Sequence, residues 1–454
     1  MSLLLTLHPA ELALAPRAEP QLCYALVTVA ADAGGGATPV SWAVVADASR
    51  SMRIPIVSEE QFRELVRSGG AQEVLVDGVP VWQLTGPVPE EVRAVAPSAL
   101  DHTARALHSI VERLDRADRL CLVACAEQAL LLVAAGGERR AELVAGVARL
   151  RSLRLGEETD LAAGMRVALA ELRRGGEGVR RLVLLTDGFT RDPEDCLALA
   201  REAAAQGVSV STLGLGGEFQ DDLLTRMADL SGGRAAYLRR AEQIPAAVAA
   251  ELDAARGVAA RALTLELALP RGAALRYATR ISPTLAPLEW EPGGPGGRRL
   301  TLRLGDLERG APARLLLEIL APPLPPRPAP GGPRVRLAAL TATSGKARAV
   351  ADIVAHYTPL AGPPSPATLA AAARASTARL QRRAAEAAAR GDAQSAAALL
   401  RAAAERLRDL GEPGLVEAAM REAAALAATG RDTGAGAREL TYATRRLGEH
   451  EVPG

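Results

Sequence analysis

Between Val44 and Met52 a short apolar run ends abruptly in one carboxylate and two hydroxyls, Asp47, Ser49 and Ser51. Such a run reads as a strand buried on both faces, the kind found in parallel sheets, opening into a loop. Ligands of open α/β sheets sit beyond the carboxyl ends of the strands, so these oxygen donors fall where a hard cation would be held. A chain organised around that strand needs further strands alternating with helices, and further oxygen donors at their ends.

Both follow. Residues 39–256 alternate in the required way, which predicts a doubly wound, parallel-sheet α/β domain. A helix opens at Ser98, with Asp101 three residues on and Leu100, Ala104, Leu107, Val111 and Leu114 on one face. Leu120–Ala126 is the next buried strand and a short helix follows near Ala141–Leu150. The segment Gly156-Glu157-Glu158-Thr159-Asp160 leads into a helix striped by Leu161, Met165, Ala168 and Leu172. Strand Leu182–Leu185 stops at Thr186-Asp187-Gly188, and Asp192-Pro193-Glu194 is an acidic helix start with proline in the first turn. Residues 53–97 form an inserted lobe with its own helix start at Ser58 and a hairpin signal at Asp77-Gly78.

Outside 39–256 the period changes. Residues 1–38 carry strand-like alternation, as at Leu3, Leu5 and Leu7, and it returns after 257 at Leu263/Leu265/Leu267/Leu269, Leu300/Leu302/Leu304 and Leu315/Leu317/Ile319. The first segment is too short to bury a core alone, so 1–38 and 257–358 are expected to share one β-sandwich, with the α/β domain inserted into it. Residues 359–366 are a proline-rich linker. From 367 to 454 the chain is rich in Ala, Arg, Glu and Leu at helical spacing, broken near Gly391-Asp392, Gly411–Gly414 and Gly430–Gly436. An antiparallel α-helical domain results, suited to close packing or to homo-oligomer formation.

Composition excludes several functions. With 54 basic and 53 acidic residues the net charge is +1, and aromatics are 2% of the chain, so there is no charge excess and little stacking surface for nucleic acid. No run approaches the ~18 apolar residues of a membrane span, and Met1–Ala10 has no basic segment before an apolar one, so a cytoplasmic protein without membrane contact is expected. Cys23, Cys121, Cys125 and Cys196 lack metal-ligand spacing, and Cys121 and Cys125, on one side of an apolar strand, read as small core residues. The five histidines are scattered; His102 and His108 share a helix on different faces and read as surface residues. Gly214-Leu215-Gly216-Gly217 lacks a phosphate-loop pattern and reads as a tight turn. No base lies close in sequence to Ser49 or Ser51, and no D-x-D follows the first strand, so no catalytic residue is assigned and an enzyme is not expected.

Taken together, Asp47, Ser49 and Ser51 as D-x-S-x-S, then Thr159, then Asp187 in Leu-Leu-Thr-Asp-Gly, resemble the metal-ion-dependent adhesion site (MIDAS) of the von Willebrand factor A (VWA) domains, in particular bacterial cytosolic ones. The resemblance covers about half the chain. It implies a Rossmann-like fold and a metal site formed by Asp47, Ser49, Ser51, Thr159 and Asp187. It also implies a protein partner whose Asp or Glu completes the shell of a bound ion. Hydroxyl and carboxylate donors without His or Cys select a hard cation, Mg2+ first, with Mn2+ or Ca2+ as alternatives. An alternative reading makes the chain an accessory VWA subunit of an AAA+ ATPase complex, like those of the chelatase and MoxR systems; the chain has no P-loop, so the ATPase would be a separate polypeptide. Arg50 departs from the glycine usual in the motif, and Glu157 and Glu158 replace small residues before the threonine, where either could reach the ion.

Overall fold

The structure, a computed structural model, describes residues 2–32, 38–57, 59–76, 79–85, 96–136, 140–176, 178–216, 219–324 and 332–448. Three strands come first, β1 (Leu3–His8), β2 (Leu12–Leu14) and β3 (Gln21–Ala31). The α/β domain then runs β4 (Val40–Asp47), α1 (Glu59–Arg67), β5 (Ala71–Val76), β6 (Val79–Leu84), α2 (Ala99–Arg113), β7 (Arg119–Cys125), β8 (Ala129–Gly136) and α3 (Arg140–Ser152). It continues with α4 (Leu161–Arg173), β9 (Val179–Thr186), α5 (Pro193–Ala205), β10 (Val208–Leu215), α6 (Asp221–Ser231), β11 (Ala235–Leu238) and α7 (Ile244–Arg256).

The main sheet has the order β11-β10-β9-β4-β7-β8. On β4 the side chains of Val40, Trp42, Val44 and Ala46 enter the core under α2, α3 and α7, while Ala43 and Val45 enter the core under α4, α5 and α6. Burial on both faces is why this strand is apolar without alternation. Strand β4 pairs with β7 on one side and β9 on the other, so the chain order reverses there and opens a crevice beyond its carboxyl end.

Two expectations need correction. The sheet is mixed, because β8 pairs antiparallel with β7 at the edge. Its run Ala129-Leu-Leu-Leu-Val-Ala-Ala has no period-2 signal, and nothing in it separates an edge strand from a helix start. His102 is not at the surface: it is 5% exposed and its Nε2 has no hydrogen-bond partner. Helix α2 is buried over more than one face, with Thr103, Ala106 and Ile110 inside as well as Leu100 and Leu107, so a one-stripe reading misplaces the histidine. Burial lowers the His102 pKa. In the inserted lobe β5 and β6 form an antiparallel pair; the expected cap at Ser58 and turn at Asp77-Gly78 lie outside the described residues.

After α7 the chain forms β12 (Val258–Ala268), β13 (Ala274–Ser282), β14 (Ala286–Pro287), β15 (Trp290–Gly293), β16 (Arg299–Glu308), β17 (Ala313–Ala321), β18 (Arg334–Ser344) and β19 (Ala347–Tyr357). One sheet has the order β1-β3-β17-β13-β14 and the other β15-β16-β12-β18-β19-β2, so strands from both ends of the inserted domain share each sheet. Val27, Leu267, Leu302 and Leu317 belong to the core they share.

The last part is α8 (Pro366–Ala389), α9 (Ala393–Asp409), α10 (Pro413–Thr429) and α11 (Ala435–Arg445). Pro366, assigned to the linker above, is already in the first turn of α8, whose cap is Ser365, accepting from the Thr368 N–H at 3.2 Å. These helices dock on the rest of the chain. Ala371 and Ala375 of α8 pack against Leu26, Ile281, Leu285 and Leu316 of the sandwich, and Tyr442 of α11 joins the α/β core. Asp229 of α6 accepts two hydrogen bonds from Arg445 of α11, at 2.8 and 2.6 Å, and lies 3.8 Å from Arg280 of β13. Among the described residues no helix is long and apolar enough to cross a membrane.

Candidate metal centre

Asp47 is the last residue of β4 and is wholly buried. Its Oδ1 accepts from the Ser49 N–H at 2.8 Å, which turns the chain sharply out of the strand. Its Oδ2 accepts from Thr186 Oγ1 at 2.6 Å and Thr159 Oγ1 at 3.1 Å. Ser49 Oγ lies 3.1 Å from Ser51 Oγ, and Ser51 Oγ donates to Asp187 Oδ1 at 2.6 Å across 136 positions of sequence. All five residues named from the sequence therefore stand in one hydrogen-bonded cluster. Asp47, Ser49 and Thr159 form its buried floor, while Ser51 is exposed and Asp187 half-buried, so the cluster opens to solvent on one side.

The fold fixes each loop. The register of β4 on β9 pairs Ala46 with Leu185, which places Asp47 beside Thr186. Thr159 is held by a parallel bridge to Thr190 and by the Arg191 N–H, which donates to the Thr159 carbonyl at 3.2 Å. Just before it Gly156 has φ +123°, and a Cβ there would come within 2.6 Å of Glu127 Cδ, so only glycine fits the turn. Glu127 in turn accepts from the Glu157 N–H at 3.1 Å. Arg53 ties the first loop to this one through the carbonyls of Ser49, Leu153 and Gly156, at 3.3, 3.2 and 3.3 Å.

Electrostatically the centre is short of positive charge. Burial pushes the Asp47 carboxyl above its ordinary value, against the hydrogen bonds from Thr186, Ser49 and Thr159. Burial, with the charge of Asp47 adding to it, pushes Asp187 up to about 6 despite the bond from Ser51. The nearby arginines are engaged elsewhere: Arg50 with Glu157 at 3.6 Å, Arg191 with Glu158 at 2.6 Å, and Arg53 with its three carbonyls. Glu157 and Glu158 thus sit in exposed ion pairs. Two neighbouring carboxylates that, among the described residues, make no hydrogen bond or ion pair to a basic side chain, ringed by hydroxyl oxygens, suit a small divalent ion. Among the described residues no group of three or more His, Cys, Asp or Glu side chains is placed to hold a metal ion, so hydroxyl oxygens must supply part of any coordination here.

Sequence reasoning missed Thr186, Glu127 and Arg53. Thr186 carried a usable signal, since it ends a buried strand one residue before Asp187 and a parallel neighbour would face it with Asp47. Glu127 and Arg53 act through backbone groups of distant loops and carried none.

Residues 93–249 match the von Willebrand factor type A domain family, and residues 366–450 match the Sll0103-like, C-terminal alpha-helical domain. The chain carries a VWA domain of Rossmann-like fold, a class that generally comprises metal-dependent protein-interaction modules rather than enzymes. Its fold is similar to that of a von Willebrand factor type A protein from Catenulispora acidiphila (TM-score 0.72, 17% identity), covering 98% of this chain and 96% of that one. It is also similar to the ArnB paralog VWA2 from Sulfolobus acidocaldarius (TM-score 0.53, 14% identity, 98% of both chains). A curated relative is the uncharacterized protein sll0103 of Synechocystis sp., 27% identical over 142 residues, which are 31% of this chain. The match spans about a third of that relative's length (33%).

Proposed function

We propose that the chain is a non-enzymatic protein-binding module whose centre at Asp47, Ser49, Ser51, Thr159 and Asp187 holds a divalent cation, Mg2+ before Mn2+ or Ca2+, and captures an Asp or Glu of a partner protein. The observation that carries this reading is the convergence of two carboxylates and three hydroxyls, from three loops, into a cluster open on one side and, among the described residues, not ion-paired to a basic side chain. When bound, the ion supplies positive charge and a coordination position for an oxygen ligand from outside. Ser49 and Ser51 would present neutral oxygens to it. Asp47, held by three donors, would orient the hydroxyl of Thr159, and Asp187 would balance charge at the open side. Neutral donors leave the ion electrophilic, which favours an incoming carboxylate.

Among the described residues the serines have no histidine or lysine as a hydrogen-bond partner, which supports binding over nucleophilic chemistry. Cys23, Cys121, Cys125 and Cys196 are free and buried, which supports a cytoplasmic, reducing setting. The test is affinity capture on immobilised wild type, Asp47→Ala and Asp187→Ala, each with Mg2+ and with chelator. A partner retained only by wild type in Mg2+ is the expected result, and an AAA+ ATPase in that fraction would identify the partner class. A partner retained equally under all conditions overturns the proposal.

A further inference from the structure

Beside the oxygen cluster the chain places bulky apolar side chains in water. Phe189, two residues beyond Asp187, is 62% exposed; Ile54 and Ile56, just beyond Ser51, are 49% and 43% exposed. The Ser51–Asp187 hydrogen bond brings these two loops together. The exposure does not come from slack backbone. On either side of Phe189, the Gly188 N–H donates to Thr186 Oγ1 at 3.2 Å and the Thr190 N–H to Gln220 Oε1 at 3.2 Å. The Ile54 N–H donates to the Ser51 carbonyl at 3.1 Å, and the Ile56 N–H to the Pro97 carbonyl at 3.2 Å. In a chain with three phenylalanines, one is held out of the core at the mouth of the site while Phe219 is 2% exposed. The third loop differs: it carries Glu157 and Glu158, exposed and already paired with Arg50 and Arg191.

We propose that the site selects a partner segment with a single Asp or Glu flanked by apolar residues, the carboxylate going to the metal centre and the neighbours to Phe189 and Ile54. This rests on the metal-centre reading above and adds the partner's chemistry to it. An exposed apolar rim around a charged centre gains affinity by covering hydrocarbon, as the buried anchors of protein interfaces do. A run of acidic residues gains nothing over a single one, because a second carboxylate would meet hydrocarbon on two sides and, on the third, Glu157 and Glu158 whose arginine partners are already engaged.

The test is selection of displayed random peptides on the full chain in Mg2+ with elution by chelator, followed by Mg2+ calorimetry and peptide titration of Phe189→Ser and Ile54→Ser. The expected result is enrichment of one acidic residue with an apolar neighbour within two positions, and roughly ten-fold weaker binding of the best peptide to each variant. Mg2+ affinity should be unchanged in both. Eluted peptides with acidic runs or without apolar neighbours, or variants that bind like wild type, overturn this inference and leave the metal-centre reading standing. Absence of Mg2+ binding by wild type overturns both.

Discussion

Asp229 is where three parts of the chain meet: it lies on α6 of the α/β domain, holds Arg445 of the C-terminal helices in a two-bond fork, and faces Arg280 of the sandwich. All three side chains are nearly buried, with exposures of 9%, 10% and 5%. Asp229→Ala would leave two guanidinium groups in the interior without their carboxylate. Breaking a buried ion pair from one side costs about 3–5 kcal/mol, because the remaining charge is neither solvated nor paired. The Arg280 Nε–H keeps its bond to the Thr284 carbonyl at 3.2 Å, so the loss falls mainly on Arg445 and on docking of α11. Native-state hydrogen exchange of the α11 amides reads this directly, with an opening free energy expected to fall by about 3–5 kcal/mol. The combined variant Asp229→Leu, Arg280→Met, Arg445→Met should regain most of that loss, since apolar residues of similar volume can replace a buried ion cluster. An Asp229→Ala change within about 0.5 kcal/mol of wild type, the ordinary range for a surface substitution, would refute the argument.

Two further outcomes follow from the proposed metal centre. In the ion-free protein Asp187 is pushed up to about 6 from an ordinary 3.8, so the folded state binds this proton more readily than the unfolded chain and the ion-free fold gains stability as pH falls from about 6 towards 4. A metal requires the ionised form, so protonation of Asp187 should weaken Mg2+ binding as pH falls below about 6, and the raised Asp47 adds in the same direction; thermal melts with and without Mg2+ across pH 4–8 check both signs. Thr186→Val removes a 2.6 Å hydrogen bond from buried Asp47, with an expected loss of about 1–2 kcal/mol in denaturant unfolding of the metal-free protein and weaker Mg2+ binding; unchanged values for both would contradict the role given to Thr186.

Much of the fold is legible in local pattern because the elements that matter are buried on both faces or alternate cleanly. Strand β4 is one such case and the Leu263–Leu269 alternation in β12 another. Strands β13, β18 and β19 are harder to see, since Arg, Thr and Ala dilute their apolar alternation. What local pattern cannot show is pairing between polar residues far apart: the clamp on Asp229 joins positions 216 residues apart, and neither partner carries a period. The same holds for the support of the metal centre by Glu127 and Arg53. His102 shows the opposite failure, because a helix covered on several sides looks amphipathic when only its strongest stripe is counted.

The proposed metal centre requires five side chains to hold one divalent ion. Isothermal titration of metal-stripped wild type with Mg2+ and with Mn2+ tests it, alongside Ser51→Ala and Asp187→Ala, an exposed and a half-buried position outside the apolar cores. One ion per chain is expected for wild type, with a lost or greatly weakened site in both variants. Equal stoichiometry and affinity in all three proteins, or no binding by wild type at millimolar metal, would contradict it.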